Sequence, residues 1–484
     1  MKLSFEKSRP GRRCSAPPSA DVPPGYAASL LPAGALRARP PRLPEMAEVD
    51  VVRHYTALSR RSFGVDNGFY PLGSCTMKYN PRLNEELVAL PGFTDIHPLA
   101  GDAASQGCLA LMHGLSGALC EITGMDAFTL APAAGAHGEW TGLLMIRAWH
   151  ESRGDAARTT ILVPDSAHGT NPASAALAGY RVQPVPSAPD GGVDIDALRR
   201  LAGPDTAGLM LTNPNTLGLF ERRIGDIAAI VHGAGGLLYY DGANLNAIMG
   251  LVRPGDMGFD VVHINLHKTF GTPHGGGGPG SGPVGCRAHL TDYLPGPVVR
   301  KEGDAYSLAE PPRSIGRVTG FYGNFAVLVK AYAYILSLGA DGLREASECA
   351  VLHANYMMNA LRGVLELPYE GPCMHEFVLS ARALREQTGC SALDISKAML
   401  DHGMHPPTMY FPLIVAEALM IEPTETESPE TLNDAIRVIG EIVETARRDP
   451  AALHEAPRTT PVGRLNEVEA ARHPVVRYSF GGGD

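Results

Sequence analysis

The residues best placed to do chemistry are Lys268, in Asn265-Leu266-His267-Lys268-Thr269-Phe270, and Asp241, in Tyr239-Tyr240-Asp241-Gly242-Ala243-Asn244. Each follows an apolar, strand-like run, residues 261–266 and 237–240. The separation between them leaves room for a strand, a crossover and a second strand of a parallel sheet. An acid and an amine would then sit at the carboxyl ends of two strands, where open α/β sheets bind ligands. A lysine that attacks a carbonyl must be neutral, so desolvation or a nearby cation has to lower its pKa from about 10.4. Taken singly, Lys268 is one surface lysine among many and Asp241 is equally a helix cap. The pair is what points to chemistry.

Pyridoxal phosphate requires such a pair: a lysine for its aldehyde, and a carboxylate to keep the pyridine nitrogen protonated so that the ring accepts electrons. A third element lies in residues 129–139, where small residues, Gly135 and Ala136 among them, lead into a helical stretch over 140–150. Small residues at a helix start let backbone N–H groups approach a phosphate, and the helix dipole favours the anion. His137 there either lies flat against the ring or packs and caps the helix. In the loop 164–172, Ser166 and His168 contact the cofactor's phenolic oxygen or the substrate, or only stabilise the loop. His267 is a proton shuttle or ring-orienting group, or likewise only stabilises its loop. Ala243 and Thr269 are further cofactor contacts. Lys78 stands in an irregular Gly/Pro-rich segment with no strand-end acid before it, and is not the Schiff-base lysine. No histidine is visibly paired with Cys75, which reads as a buried or interface thiol. The glycine run at 275–282 lacks the Gly-Lys-Ser/Thr of a phosphate loop, so its glycines serve tight turning beside the cofactor.

Several blocks together carry a family resemblance: Asn67-Gly68-Phe69-Tyr70-Pro71-Leu72-Gly73-Ser74-Cys75-Thr76-Met77-Lys78, residues 133–139, Asp165-Ser166-Ala167-His168-Gly169-Thr170-Asn171, Thr212-Asn213-Pro214-Asn215, the Asp241 and Lys268 blocks, and His405-Pro406-Pro407-Thr408. The chain resembles the second subunit of glycine dehydrogenase (decarboxylating), the P-protein of the glycine cleavage system, in bacteria that split this enzyme into two chains. The resemblance implies the type I pyridoxal phosphate fold (aspartate aminotransferase-like), with pyridoxal 5'-phosphate bound covalently to Lys268. It further implies decarboxylation of glycine and transfer of the aminomethyl group to the lipoyl arm of H-protein. The implied partners are P-protein subunit 1, which lacks the lysine, and lipoylated H-protein, in a heterotetramer of two subunit types. Gly271 stands where relatives often carry a hydroxyl residue, leaving Thr269 and Thr272 as donors. Two other classes remain open: another type I enzyme such as an aminotransferase or desulfurase, and a non-catalytic scaffold subunit.

The rest of the chain must position these groups. From about residue 84 to 330, helical stretches alternate with apolar runs at 160–163, 208–212, 237–240 and 261–266, which predicts a mostly parallel sheet with crossover helices. Residues 1–80, rich in proline and arginine, are expected to form an extended arm, 81–330 the large cofactor-binding domain, and 331–484 a small C-terminal α+β domain. With 41 basic and 51 acidic residues the net charge is -10, and the basic residues are scattered, which speaks against nucleic-acid binding. Eight cysteines without a C-x-x-C pair or ligand spacing predict no metal site and a reducing, cytoplasmic setting. No uninterrupted apolar run reaches the roughly 18 to 20 residues that span a bilayer, so no membrane association is expected.

Overall fold

The computed structural model describes residues 2–15, 18–19, 21–23, 25–275 and 280–480, with residues 27 and 28 described by backbone only. The chain forms two compact units, one of residues 1–64 with 461–484 and one of residues 65–460. The smaller unit contains the amphipathic helix Glu48–Ser59 and two single-turn helices, Ser4–Lys7 and Ala27–Leu30, joined by irregular proline-containing segments. Residues 276–279 of the glycine run lie outside the described residues.

The larger unit is built on a seven-stranded sheet. Its strands are β1 (Ala127–Thr129), β2 (Thr160–Pro164), β3 (Arg181–Val185), β4 (Thr206–Leu211), β5 (Leu237–Gly242), β6 (Val261–Ile264) and β7 (Val284–Cys286), in the order β1-β7-β6-β5-β4-β2-β3. The five strands from β3 to β6 run parallel, and β7 is antiparallel to both its neighbours. Every residue of β2, β4, β5 and β6 is buried, as expected when helices cover both faces of a parallel sheet. Because side chains alternate across a strand, Leu209, Leu211, Leu238 and Tyr240 enter one core while Met210, Leu237 and Tyr239 enter the other. The helix Gly135–Ser152 packs on the second face, and the helix Gln106–Thr123 and much of Phe325–Leu361 on the first.

The four expected strand runs all appear, with one adjustment that matters for the site. The run expected to continue through residue 266 leaves the sheet after Ile264, and Leu266–Thr269 coil into a single helical turn.

A hairpin, β8 (Val298–Glu302) with β9 (Ala305–Ala309), follows the sheet. Beyond the helix Phe325–Leu361 lies a three-stranded antiparallel sheet, β10 (Phe377–Ser380), β11 (Thr408–Met409) and β12 (Ala418–Ile421), in the order β10-β12-β11. The helices Ala392–Asp401 and Pro429–Arg448 close a separate core over it, with Phe377, Leu379, Ile395, Val438 and Ile442 inside. Phe325–Leu361 is, by length and composition, the one helix among the described residues that could cross a membrane. Its helical geometry breaks at Gly339, and it buries side chains from Val327 to Leu361 in the protein.

Candidate active site

Asp241 is the penultimate residue of β5, paired across the sheet with His263 of β6. Its Oδ2 accepts the Asn171 amide at 2.7 Å, its Oδ1 accepts the Ala243 N–H at 3.0 Å, and His263 Nε2 stands 3.3 Å from Oδ1. Burial alone would raise the acid, but His263 and these two donors outweigh it and hold the carboxyl below its ordinary pKa. The side chain closes a turn onto Ala243; no helix begins there.

Glu139 lies beside this acid, each offering an oxygen within 4.8 Å of the other. Burial, with the charge of Asp241 added, lifts Glu139 to about 7.

The helix Gly135–Ser152 aims its N-terminus at the same region. A Cβ on Gly135 would fall 2.4 Å from Asn265 Oδ1, and one on Gly138 would fall 2.7 Å from the Gly282 carbonyl. Only glycine permits this approach, which brings the first N–H groups of the helix to the cavity. Gly135 and Ala136 line the cavity, whereas His137 turns back and accepts the Ala133 N–H on Nδ1 at 3.1 Å.

Lys268 leaves the helical turn after β6 and donates from Nζ to the Ser74 carbonyl at 2.7 Å. His267 accepts the Ser281 N–H on Nδ1 at 3.2 Å; burial, with Lys268 and His274 nearby, brings it down to about 4. His168 contacts Thr170 Oγ1 at 2.9 Å and meets the Phe411 ring edge-on, and burial lowers it too. Thr269 is fully buried: its hydroxyl accepts the Leu245 N–H and its carbonyl accepts Lys78 Nζ, so it lies behind the wall. Ser166 is buried as well and gives its carbonyl to Thr216.

These elements enclose a cavity of about 560 Å³ lined by Gly135, Ala136, Glu139, His168, Asp241, Ala243, Asn265, His267 and Lys268, and also by Ser74, Cys75, His274, His375 and Glu376. Of the ten residues the sequence proposed, Asp241, Lys268, His267, His168, Ala243, Gly135 and Ala136 meet here, while His137, Ser166 and Thr269 do not reach the wall. Four buried atoms of lining residues have no hydrogen-bond partner among the described residues: Glu139 Oε2, Thr212 Oγ1, Asn265 Oδ1 and His375 Nδ1. Unsatisfied buried polar atoms are costly, so four at one cavity call for a polar ligand.

Sequence reasoning missed the wall around Ser74. Cys75, expected to lack a histidine, has its Sγ 3.6 Å from His274 Nε2. Burial raises the thiol, and the same cause lowers the imidazole, so both stay neutral near pH 7. Glu376 and Glu422 hold the backbone on either side of Cys75. Lys78 is not in the cavity: its Nζ is buried against Glu425, Asn246 and the Thr269 carbonyl, an ion pair beneath the lysine turn. These partners are separated by 168 to 347 positions, so only the folded chain brings them together.

Comparison with known proteins places this geometry in context. Residues 346–457 match the family described as "Glycine dehydrogenase, C-terminal domain". The chain is 59% identical over 477 residues, 98% of each chain, to the "Probable glycine dehydrogenase (decarboxylating) subunit 2" of Halalkalibacterium halodurans. It is 61% identical over 444 residues, 92% of each chain, to the protein of that name from Treponema denticola. Among solved structures, the inhibitor-bound glycine decarboxylase (P-protein) of the glycine cleavage system aligns with a TM-score of 0.73 at 21% identity, covering 86% of this chain and 94% of that one. The glutamate decarboxylase of Lactobacillus brevis aligns with a TM-score of 0.64 at 14% identity, covering 88% and 98%. The architecture is therefore that of the type I pyridoxal phosphate enzymes, a large mostly parallel sheet with a small antiparallel one. By identity and coverage, the chain belongs to the family of glycine dehydrogenase (decarboxylating) subunit 2.

Proposed function

We propose that this cavity binds pyridoxal 5'-phosphate covalently on Lys268 and decarboxylates glycine, releasing carbon dioxide and passing the aminomethyl group to the lipoyl arm of H-protein. The observation that carries the reading is the meeting of an ionised strand-end acid, a free lysine amine and a glycine-opened helix N-terminus at one cavity. The residues fit the cofactor: the helix start offers N–H groups to a phosphate, Asp241 offers a lasting negative charge to a pyridine nitrogen, and Glu139, Asn265 and His375 present unpartnered atoms. When bound, pyridoxal phosphate supplies an electron sink for the pair left behind as the carboxylate departs.

The chain's own residues do the rest. Asp241 stays charged because His263 and Asn171 compensate its burial. Lys268, the only lysine or arginine lining the cavity among the described residues, is held by the Ser74 carbonyl when its amine is free. His168, His267, His274 and His375 are all lowered by burial and remain neutral imidazoles at pH 7. A substrate carboxylate thus meets neutral donors, not a guanidinium clamp. That environment favours loss of charge from the carboxylate as carbon dioxide forms.

The name "subunit 2" shared by the relatives supports a partner chain, which we take to be the homologous first subunit, in a heterotetramer of two subunit types. Eight free cysteines accord with a reducing, cytoplasmic location. The test is exchange of labelled bicarbonate into glycine, with and without the first subunit and lipoylated H-protein. Exchange that needs the first subunit and is stimulated by H-protein is the expected result. Formation of a keto acid without carbon dioxide would favour an aminotransferase, and a protein that binds no chromophore would favour a scaffold.

A further inference from the structure

The wall of the cavity next to Lys268 is a turn over residues 73–76 whose backbone is not relaxed. Ser74 has φ 62° and Thr76 φ 42°, left-handed values that residues with a Cβ disfavour. Gly73 is wedged below them, since a Cβ there would lie 2.3 Å from Met420 Cγ on β12. Two buried acids keep the turn in place. Glu376 Oε2 accepts the Ser74 N–H at 2.6 Å, while Glu422 accepts the Thr76 N–H at 3.1 Å and its hydroxyl at 2.6 Å. Asn244, just past the end of β5, donates to the same Glu422 at 2.9 Å. Glu376 is 2% exposed and Glu422 0%.

Strain at an active site persists only where surrounding contacts over-determine it. Here the strained residue presents one group to the chemistry: the Ser74 carbonyl, which receives Lys268 Nζ at 2.7 Å. We propose that Glu376 and Glu422 are positioning residues that act through this turn. They hold the Ser74 carbonyl where it takes the Lys268 amine whenever that amine is not bonded to the cofactor, and so set how readily an incoming amine displaces the lysine. The proposal rests on Lys268 being the cofactor lysine. The exchange balances: the carbon–nitrogen bond to Lys268 breaks, an equivalent bond to the incoming amine forms, and the protons of the incoming ammonium end on Lys268. The hydrogen bond to Ser74 exists only on the released side, so it favours release.

The test uses the complex with its partner subunit and follows the absorbance of bound cofactor during titration with glycine and, separately, with methylamine, which has no carboxylate. Glu376→Ala should raise the half-displacing concentration of both amines about tenfold, as leaving one buried N–H donor unsatisfied does, while cofactor retention is unchanged. Glu376→Gln should shift it less than about threefold, because the amide oxygen still accepts the Ser74 N–H. Adding Ser74→Gly to Glu376→Ala should restore most of the loss, since glycine adopts the left-handed conformation without strain. If Glu376→Ala does not fold, Glu422→Gln serves instead: its amide end must face a donor, Thr76 N or Asn244, and both titrations should shift in the same direction.

A shift for glycine alone would overturn the proposal by making Glu376 a substrate contact. Unchanged titrations in variants that keep the cofactor would overturn it too, as would failure of Ser74→Gly to restore. Borohydride fixation of the cofactor on another lysine would fail the Lys268 assignment itself, a result separable from any of these.

Discussion

Asp241 sits where a relaxed parallel strand ends, and its partners come from the neighbouring strand and from the helix Thr170–Leu177 that follows β2. Ser74 sits in a left-handed turn, and the acids that hold it and Thr76 are 302 and 346 positions away along the chain. One wall of the cavity therefore follows from sheet geometry, and the other is assembled against local preference by distant acids. In the function we propose, the sheet wall provides lasting charge for the electron sink. In the same proposal, the turn wall provides a place for the lysine that must come and go. Chemistry that has to stay fixed rests on unstrained structure, and chemistry that has to move rests on a strained contact.

Substitutions on the two walls should separate along this line. Lys268→Ala belongs to both walls and carries the largest effect: turnover falls to background in the bicarbonate exchange assay, while circular dichroism and the thermal midpoint stay close to wild type. Asp241→Asn, on the sheet wall, should cost about 3 to 4 kcal/mol of transition-state stabilisation, seen as a fall in kcat with cofactor binding weakened far less. Activity within a few-fold of wild type would mean that Asp241 is structural.

Lys78→Met, beneath the lysine turn, should leave Glu425 as an unpaired buried charge and cost about 3 to 5 kcal/mol of stability in a denaturant titration. Burial opposes both charges there, yet their pairing raises Lys78 and lowers Glu425, so the pair is ionised and its loss is felt. A loss below about 1 kcal/mol would show that the cation is solvated.

The smallest effect concerns Glu139. Its folded pKa, about 7, is raised by burial above the ordinary 4.5, so the folded protein holds a proton there that the unfolded chain releases first. The stability from that proton is full below pH 4.5 and is lost as pH rises through about 7. Glu139→Gln should remove this slope, on the order of 3 kcal/mol across the window at most. An unchanged slope in the variant would place the proton elsewhere.

The legibility of the fold divides in the same way as the two walls. The runs that became β2, β4, β5 and β6 were readable because strands buried on both faces are continuously apolar. β1 and β7 were not, being three residues long, and β3 is an edge strand that contains Pro184 and exposed positions. Asp241 and Lys268 could be found because an acid and an amine at strand ends leave a local mark. His263 left none, since a histidine inside an apolar strand looks like packing until its ring stands 3.3 Å from the acid. Cys75 and His274, 199 positions apart, could be paired only by the folded chain. The left-handed backbone at Ser74 and Thr76 was invisible as well, because neither residue is glycine.

Borohydride reduction of the purified protein, followed by peptide mass mapping, bears most directly on whether this cavity is the active site. The expected result is a yellow protein whose absorbance band shifts on reduction and whose pyridoxyl label lies on Lys268. A label on Lys78, which is buried against Glu425, or on no lysine at all, would contradict the assignment.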